Sequence, residues 1–303
     1  MGLLTGFTTI LVVIGCGAVL AQIGVLDLRS QRTLGEVAFF VASPALMVVT
    51  IIEVEISGAA VNLAASAASL ATCSVAYAVV ARWRWRLDTG SVVIGSLASS
   101  YVNAGNLGIA IAAYVVGDLT VVVPTLLVQM LLVQPLAFVV LDRVSGLDRS
   151  VGAVLRRLGT NPLTVASVVG VVLAATGWEL PLVVDSSLRM LAGLDIPAML
   201  IAYGAALRLS PPVGHAGHNR EVLFAEVLKL VVMPVVAWAV GTALGLDGIV
   251  LLGVVITAAL PTAQNIFLHA TRYRTGEDVA RETILVTTLC CLPVSLVATL
   301  LLA

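Results

Sequence analysis

Charged residues are scarce in this sequence. Only 11% of its 303 residues are charged and 60% are hydrophobic, whereas a soluble domain carries about 25% charged residues. This composition excludes a water-soluble domain, and the formal net charge of −1 offers no basic surface for nucleic acid. Strict alternation of apolar and polar residues is also absent, which argues against membrane-spanning strands. The long apolar runs must therefore be helices, which close their backbone hydrogen bonds internally, and we predict an all-α polytopic membrane protein.

Signatures of catalysis and of metal binding are missing as well. The sequence contains no HExxH, GxSxG or P-loop pattern. Its four cysteines lie in apolar runs without the spacing of a metal or redox site. His215 and His218 are three residues apart, but their proline- and glycine-rich loop provides no fixed geometry for a metal ion. We therefore expect no enzyme activity, no cofactor and no metal.

Ten apolar stretches are long enough to cross a bilayer, which takes ~20 residues per helix. They are residues 3–25, 34–52, 59–81, 91–116, 119–141, 161–178, 188–207, 222–244, 248–270 and 279–302. The loops after odd-numbered spans contain Arg29, Arg32, Arg82, Arg84, Arg86, Arg143, Arg149, Arg156, Arg157, Arg208, Arg220, Arg272, Arg274 and Arg281. The opposite side has Arg189 alone. By the positive-inside rule the odd loops are cytoplasmic, so we expect a multi-pass protein of the cell (inner or plasma) membrane with both termini outside.

Spans 4 and 9 are each interrupted by polar residues, and they match one another. The interrupted part of span 9 reads TAALPTAQNIFLHATRYRTGED, and that of span 4 reads ASSYVNAGNLGIAIAAYVVGDL. The two align without a gap at an offset of 159 positions, which pairs Asn265 with Asn106. Prolines of spans 2 and 7, and of spans 5 and 10, repeat at offsets of 153 and 158. Because a repeat of five spans is odd, the second copy must enter the membrane inverted. We predict ten transmembrane helices in two inverted five-helix repeats, residues 1–141 and 161–303, joined by a cytoplasmic linker, 142–160, with broken helices 4 and 9 crossing.

The two interruptions are the predicted binding site, because half-helix ends and unwound backbone supply polar groups at the bilayer midplane. Pro261 lacks an N–H and releases the carbonyl of Thr257, whereas Gly105 and Gly108 are expected to break the helix in the first repeat. The neighbouring amides can hydrogen-bond a carboxylate, and the positive end of a half-helix adds attraction. The predicted substrate-binding residues are Asn103, Gly105, Asn106, Pro261, Thr262, Gln264 and Asn265. The alternative is that these amides only hold neighbouring helices together.

Four ionisable side chains lie inside the predicted spans, where a charge costs about 2.5 to 3.5 kcal/mol. Lys229 can snorkel to the interface with Glu226 as its partner. Alternatively, Lys229 is a tethered cation that assists an anionic substrate or replaces a coupling ion. Asp195 can take up a proton or cap a local break at Pro197, and His269 is interpreted as an interfacial histidine. Asp195, Glu226 and Lys229 are thus the predicted groups for coupling or charge compensation.

Several motifs resemble those of the auxin efflux carrier family. LAGLDIPAMLIAYGAAL is similar to the GxxxPxxLxxxGxxL stretch of that family, and KLVVMP is similar to its KLxxxP motif. NAGNLGIAI is similar to the first crossover motif of the family, NxGxxGxP, and LPTAQNIFLHATRY is similar to the second, MPxAxNxxxxAxxY. The resemblance implies ten helices in two inverted repeats, a panel and a transport unit with crossed helices 4 and 9, and a homodimer. The sequence departs from the family at Ala110, where proline is usual, and at Asp195, where a small residue is usual.

We therefore predict a secondary transporter that carries a small mono- or dicarboxylate out of the cell by alternating access, with the bilayer and a second copy as further partners. One alternative is a sodium- or proton-coupled organic anion symporter of the bile acid type, with the cation on Asn106 or Gln264. Another is an intramembrane enzyme that uses Asp195 or His269 as acid or base. The third is a sensor that binds without transport.

Overall fold

The computed structural model describes residues 3–53, 56–145, 152, 159–160, 162–209 and 219–302. Within these residues the regular secondary structure is helical, apart from one isolated bridge between two extended segments. Six helices are long and apolar enough to cross a membrane: Leu28–Glu53, Ala60–Arg84, Leu119–Val144, Leu182–Leu209, Arg220–Ala243 and Glu277–Leu302. Shorter apolar helices are Thr8–Gln22, Thr164–Thr176 and Gly248–Ala258. The prediction of an all-α polytopic membrane protein is confirmed for the described residues.

We label the helices in chain order. They are α1 (Leu3–Gln22), α2 (Leu28–Glu53), α3 (56–84), α4 (Thr89–Ser100), α5 (104–116), α6 (119–145), α7 (Pro162–Thr176), α8 (Leu182–Leu209), α9 (219–243), α10 (Gly248–Ala258), α11 (Asn265–Tyr273) and α12 (Glu277–Leu302). Predicted span 4 is divided between α4 and α5, and predicted span 9 between α10 and α11.

Three of the long helices widen into a π-helical turn just before a proline. The widened turns are Ala38–Ala42 in α2, Gln129–Val133 in α6 and Leu228–Val232 in α9, and the prolines are Pro44, Pro135 and Pro234. A proline lacks an N–H and clashes with the carbonyl four residues earlier. The helix continues past it by bonding five residues back, which is what a π-helical turn does. Two of these turns contain polar side chains that matter below, Gln129 and Lys229.

The helices form two units, each assembled from several chain segments. The first comprises Met1–Ser57, Gly105–Val123 and Leu155–Pro211. The second comprises Gly58–Ala104, Pro124–Val154 and Pro212–Ala303. Each unit therefore draws on both halves of the sequence.

In the first unit, α1 and α8 approach one another through their backbones. A Cβ atom on Gly17 would clash with the carbonyl of Ile201, and one on Gly204 would clash with the carbonyl of Ile14. Small residues at such a contact let two membrane helices pack closely without large side chains between them. The pair of glycines thus fixes the packing of α1 on α8.

In the second unit, a buried apolar cluster joins α4, α6, α11 and α12. Its members are Ile94, Leu97, Ala98, Tyr101, Ala137, Phe138, Leu141, Ala263, Ile266, Ala270, Tyr273 and Ala280. The cluster includes Tyr101 and Ala263, which lie in the non-helical segments that follow α4 and α10. Burial of their side chains therefore helps to hold both segments in place.

The interruption of predicted span 4 lies earlier than the sequence suggested. Helix α4 ends at Ser100, Tyr101 is extended with a ψ of 109°, and α5 begins at Ala104. Gly105 and Gly108, which were expected to break the helix, lie inside a π-helical turn of α5. That part of the prediction was wrong, because a long-range partner described below, and not the local freedom of glycine, ends α4.

Candidate functional site

The two interruptions, residues 101–103 and 261–263, lie side by side in the second unit as a short antiparallel pair. The N–H of Asn103 donates to the carbonyl of Pro261 at 2.8 Å, and the reciprocal hydrogen bond from the second segment to the first is 3.0 Å long. Such pairing satisfies backbone groups that would be costly to leave unbonded at membrane depth. We call this pair of segments the crossing.

The residues at the centre of the crossing are held by side chains from α6 and α12. Val102 lies opposite Thr262. Oε1 of Gln129 accepts from the N–H of Val102 at 2.6 Å, and its Nε2 donates to the Val102 carbonyl at 3.1 Å. On the other side, Oγ1 of Thr287 accepts from the N–H of Thr262 at 3.1 Å, and the Thr262 hydroxyl donates to the carbonyl of Ala98 at 2.5 Å. Thr262 thus fixes the crossing through its backbone N–H and its hydroxyl.

Gln129 and Thr287 were missed in the sequence. Neither residue lies within an interruption, and in the sequence each one is a polar residue inside an apolar helix. A signal was nevertheless present, since the offset of 158 that relates Pro135 to Pro293 also relates Gln129 to Thr287. Two polar residues at equivalent places in the two predicted repeats indicate a shared task, here the bonding of the interrupted backbone.

Each segment of the crossing lies in the sequence between the C-terminus of one helix and the N-terminus of the next. Helices α4 and α10 end at Ser100 and Ala258, immediately before it, and α5 and α11 begin at Ala104 and Asn265, immediately after it. A helix carries a partial positive charge at its N-terminus and a partial negative charge at its C-terminus. The arrangement therefore favours an anion beside α5 and α11 and a cation beside α4 and α10.

Asn265 presents a polar group that the fold does not use. Its side chain hydrogen-bonds to the hydroxyl of Tyr101, and that hydroxyl donates to Oε1 of Gln134 at 3.0 Å. Because the hydroxyl has a single proton and gives it to Gln134, Asn265 must donate through its amide nitrogen. Its Oδ1 is buried and has no hydrogen-bond partner among the described residues. A buried unpaired amide oxygen is unusual in a folded protein and is expected where a ligand or water completes the bonding.

The other predicted substrate-binding residues are placed differently. Asn103 is 4% exposed, and its backbone is part of the crossing. Gln264 is exposed. Gly105 and Asn106 lie in α5, in the first unit, and the side chain of Asn106 is outside the described residues. The structure therefore brings Asn103, Pro261, Thr262 and Asn265 together.

Lys229 belongs to α9, and its Nζ atom lies at the C-terminal end of α10. Its side chain is fully buried, and Nζ donates to the carbonyl of Ala258 at 2.7 Å and to Sδ of Met233 at 3.3 Å. The interpretation of a lysine that snorkels to the interface beside Glu226 is wrong. Snorkelling was expected because it keeps the charge of a long side chain in water. Instead, the backbone carbonyl of Ala258, 29 residues later in the sequence, accepts a hydrogen bond from Nζ.

Glu226 lies in the part of α9 that faces α12. It is partly buried and interacts electrostatically with Glu282. Glu282 is 3% exposed and pairs with Arg281, with Nη2 and Oε1 3.5 Å apart. Two carboxyl groups and one guanidinium thus share this part of the second unit.

Asp195 lies in the first unit, within a helix that is continuous through Pro197. It is fully buried, and its Oδ1 accepts a hydrogen bond from the hydroxyl of Ser43. Its Oδ2 is buried and has no partner among the described residues. The expectation that Asp195 caps a local break is wrong, because no break is present at Pro197. A buried carboxyl group with one hydrogen bond is costly when ionised, which keeps proton uptake open as its role.

The histidines provide no metal site in the part of the chain that the structure describes. His215 and His218 lie outside the described residues. The ring of His269 packs edge-on against Phe138, with centroids 5.0 Å apart. No group of three potential metal-binding side chains occurs among the described residues.

The start of α4 is fixed by Asp88 outside the membrane-spanning segments. Its carboxylate accepts from the N–H of Ser91 at 3.1 Å and from the Ser91 hydroxyl at 2.6 Å. Partial burial raises the pKa of Asp88, but the hydrogen bonds from Ser91 outweigh burial, so the pKa lies below its ordinary value. The capped end anchors the half-helix that leads to the crossing.

Comparison with known families identifies the family of this chain. A family described as "Membrane transport protein", which contains the auxin efflux carriers, matches residues 147–299, half of the chain. The chain belongs to the auxin efflux carrier family. The resemblance inferred from the motifs is confirmed, and the family is one of transport proteins and not of enzymes.

The curated relatives of this auxin efflux carrier family member come from plants and bacteria. It is 29% identical over 153 residues to "Auxin efflux carrier component 1" of Arabidopsis thaliana, an alignment that covers 49% of this chain and 24% of the plant protein. It is 31% identical over 137 residues to "Putative malonate transporter" of Rhizobium meliloti, covering 45% of this chain and 42% of that protein. The matched region thus spans about a quarter of the plant relative and less than half of the bacterial one.

Proposed function

We propose that this auxin efflux carrier family protein is a secondary transporter that moves a small organic anion, a mono- or dicarboxylate, out of the cell by alternating access. The crossing supports the proposal most strongly. It contains extended backbone and the amide of Asn265 at an interruption of apolar helices, and the half-helices α5 and α11 begin just after its two segments. Broken helices of this kind form the substrate sites of many secondary transporters.

We assign the substrate carboxylate to Asn265 and Asn103, next to the N-terminus of α11. The amide head group of Asn265 can present N–H to a carboxylate, or its unpaired oxygen to a protonated carboxyl group. The positive end of α11 adds attraction for the anion. Pro261 and Thr262 shape this site through their backbones, whereas the exposed side chain of Gln264 has a lesser part. Gly105 and Asn106, which lie in α5 in the first unit, stay predicted substrate-binding residues.

The proposed architecture is ten transmembrane helices in two inverted five-helix repeats, residues 1–141 and 161–303, with 142–160 as the linker. Two observations support it. The described helices give ten stretches when α4 is joined to α5 and α10 to α11. In addition, the hydrogen bonds at the crossing are reciprocal, with Gln129 and Thr287 serving the two sides. The arginine distribution supports termini outside the cell membrane.

Efflux is the proposed direction, because the membrane potential assists it. Moving one negative charge out of a cell whose interior is negative gains about 2.3 kcal/mol per 100 mV. Anion exit therefore needs no coupled ion, whereas uptake does. The name of the Rhizobium relative makes malonate the first anion to test.

The experiment is a charge-displacement screen on purified protein in proteoliposomes, with mono- and dicarboxylates including malonate. We expect a current with at least one carboxylate, driven by its own gradient. Asn265→Ala and Asn103→Ala should abolish it, because each removes an amide at the crossing. The matched control is Gln31→Ala, which removes an amide from the first turn of α2 in the other unit.

Two outcomes of the screen would contradict the proposal. If the wild-type protein gave no current with any of the carboxylates, the proposed transport function would be refuted. Wild-type currents in both asparagine variants, with monodisperse protein, would remove the assigned site.

A further inference from the structure

Three side chains recur at every fourth position along α11, the half-helix that begins just after the crossing. Asn265, His269 and Tyr273 therefore lie on one face of the helix. Helix α6 shows the same spacing in three buried side chains, Gln134, Phe138 and Asp142. The two series meet at three successive levels, which can be followed from the crossing toward the end of α11.

The first two levels hold Asn265 and His269 in defined positions. The hydroxyl of Tyr101 accepts a hydrogen bond from the amide of Asn265 and donates to Oε1 of Gln134 at 3.0 Å. One turn further along α11, the ring of His269 packs edge-on against Phe138, with centroids 5.0 Å apart and planes at 89°. Contacts within the protein therefore orient both side chains before a ligand binds, which lowers the entropic cost of binding.

The third level closes the series. The hydroxyl of Tyr273 donates to Oδ1 of Asp142 at 2.7 Å. Asp142 is 1% exposed and Tyr273 is 7% exposed, whereas Asn265 and His269 are each only partly buried. On this face of α11, the two residues nearest to the crossing are therefore the ones that can reach a ligand.

The chemistry of these two side chains suits a pair of carboxylates. The amide nitrogen of Asn265 has two N–H groups, and the Tyr101 hydroxyl uses one of them. A neutral imidazole donates through one ring nitrogen, and a protonated imidazole donates through both. Four residues of an α-helix rise about 6 Å. Two carboxylates joined by one or two carbon atoms can span that separation with a hydrogen bond of about 2.8 Å at each end.

We propose that His269 binds the second carboxylate of a short dicarboxylate whose first carboxylate binds at Asn265. The inference rests on the proposed function, since it assigns the substrate class of that same site. Between mono- and dicarboxylates the protein thereby selects the dicarboxylate, because a monocarboxylate has no second group for the imidazole to bind.

Asp142 limits the length of that dicarboxylate. Its carboxyl group is bonded to the hydroxyl of Tyr273, which is one helical turn beyond His269. A longer dicarboxylate would place its second carboxylate past His269 and toward Asp142, where two carboxylates repel one another. The expected substrate is therefore a dicarboxylate with one or two carbon atoms between its acid groups.

The test measures the concentration that gives half-maximal current in proteoliposomes for three acids. Malonate is the short dicarboxylate, propionate has the same number of carbon atoms and one carboxylate, and adipate has two carboxylates on a longer chain. In the wild type, malonate should reach half-maximal current at a concentration about tenfold or more below the other two, the size of one hydrogen bond to a charged group.

The decisive variant is His269→Phe, which keeps an aromatic ring against Phe138 and removes the N–H donors. Its half-maximal concentration should rise about tenfold or more for malonate and stay unchanged for propionate. The control is Tyr114→Phe, which removes a polar group from an exposed aromatic ring of α5 in the first unit. It should behave as wild type with all three acids.

Three results would overturn the inference. The first is a wild-type protein that accepts propionate or adipate as well as malonate. The second is an unchanged half-maximal concentration for malonate in His269→Phe. The third is an equal loss for malonate and propionate in that variant, because an equal loss indicates a structural role for the imidazole.

A second pair of variants carries the test if His269→Phe does not fold. His269→Gln and His269→Met introduce side chains of similar length, and only the glutamine has an N–H donor. The glutamine variant should keep part of the preference for malonate over propionate, and the methionine variant should lose it. Equal behaviour of the two variants overturns the inference.

Thermal unfolding separates this inference from the proposed function. At equal concentration, malonate should raise the unfolding midpoint of the wild type and of Tyr114→Phe more than propionate does, because a ligand that binds more tightly stabilises the folded protein more. This difference should vanish in His269→Phe. If no acid gives a current but these shifts are seen, the transport proposal fails and the second carboxylate site stands. If currents are seen without a preference for malonate in either assay, the inference is refuted and the transport proposal stands.

Discussion

Replacement of Gln129 by methionine removes the side chain that ends α4. The substitution keeps the length and the apolar stem of the side chain, but it deletes both hydrogen bonds to Val102. Val102 and Gln129 are each 1% exposed, so water does not replace the lost partners. An unsatisfied buried donor or acceptor costs about 1–3 kcal/mol. Two such groups therefore predict a loss of about 2–6 kcal/mol in the free energy of unfolding.

The assay is thermal unfolding of purified Gln129→Met in detergent. At about 2–4 °C per kcal/mol for a large domain, the midpoint should fall by at least about 4 °C. The control is Thr125→Val, which deletes a buried hydrogen bond from the same helix to the hydroxyl of Ser66. Because the Ser66 hydroxyl keeps its own hydrogen bond to Oδ1 of Asn62, nothing is left unpaired, and Thr125→Val should unfold close to the wild-type temperature. A Gln129→Met protein as stable as wild type would refute the claim that this amide holds the interrupted backbone.

Two further substitutions test the structure away from the crossing. Asp195→Asn should be at least as stable as wild type in thermal unfolding, because a buried carboxylate that accepts its hydrogen bond from the Ser43 hydroxyl is costly when ionised. A marked loss of stability would show that the ionised form is required. Asp88→Ala should lose about 1 kcal/mol through the missing helix cap. Because the folded pKa of Asp88 is lowered, this difference from wild type should be present above the pKa of an unfolded aspartate and vanish as the pH falls through the folded pKa; a difference that persists in acid would contradict the assignment.

The features that the sequence predicted well depend on local chemistry. Apolar length predicts helices because a helix closes its backbone hydrogen bonds within itself, as the apolar interior of a bilayer requires. Pro261 predicts an interruption because a proline removes a helical hydrogen bond wherever it occurs, and α10 does end just before it. The matching polar cluster in span 4 located its partner to within a few residues.

The features that the sequence did not predict depend on partners far along the chain. Gln129 bonds to a residue 27 positions away, Thr287 to one 25 positions away, and Lys229 to one 29 positions away. No local pattern specifies such partners. For this reason the glycines of span 4 predicted a break later in the sequence than the observed one. Likewise, the cost of burying a charge predicted a Lys229 side chain at the membrane surface, whereas it is buried in the protein.

The central claim is that an organic carboxylate binds at the crossing, beside Asn265. The most direct test is a structure of the protein with a brominated form of the transported carboxylate, in which anomalous scattering locates the bromine atom. The account predicts a single strong peak next to the N-terminus of α11, with the carboxylate within hydrogen-bond reach of the Asn265 side chain. A peak elsewhere in the protein, with the crossing empty, would contradict it.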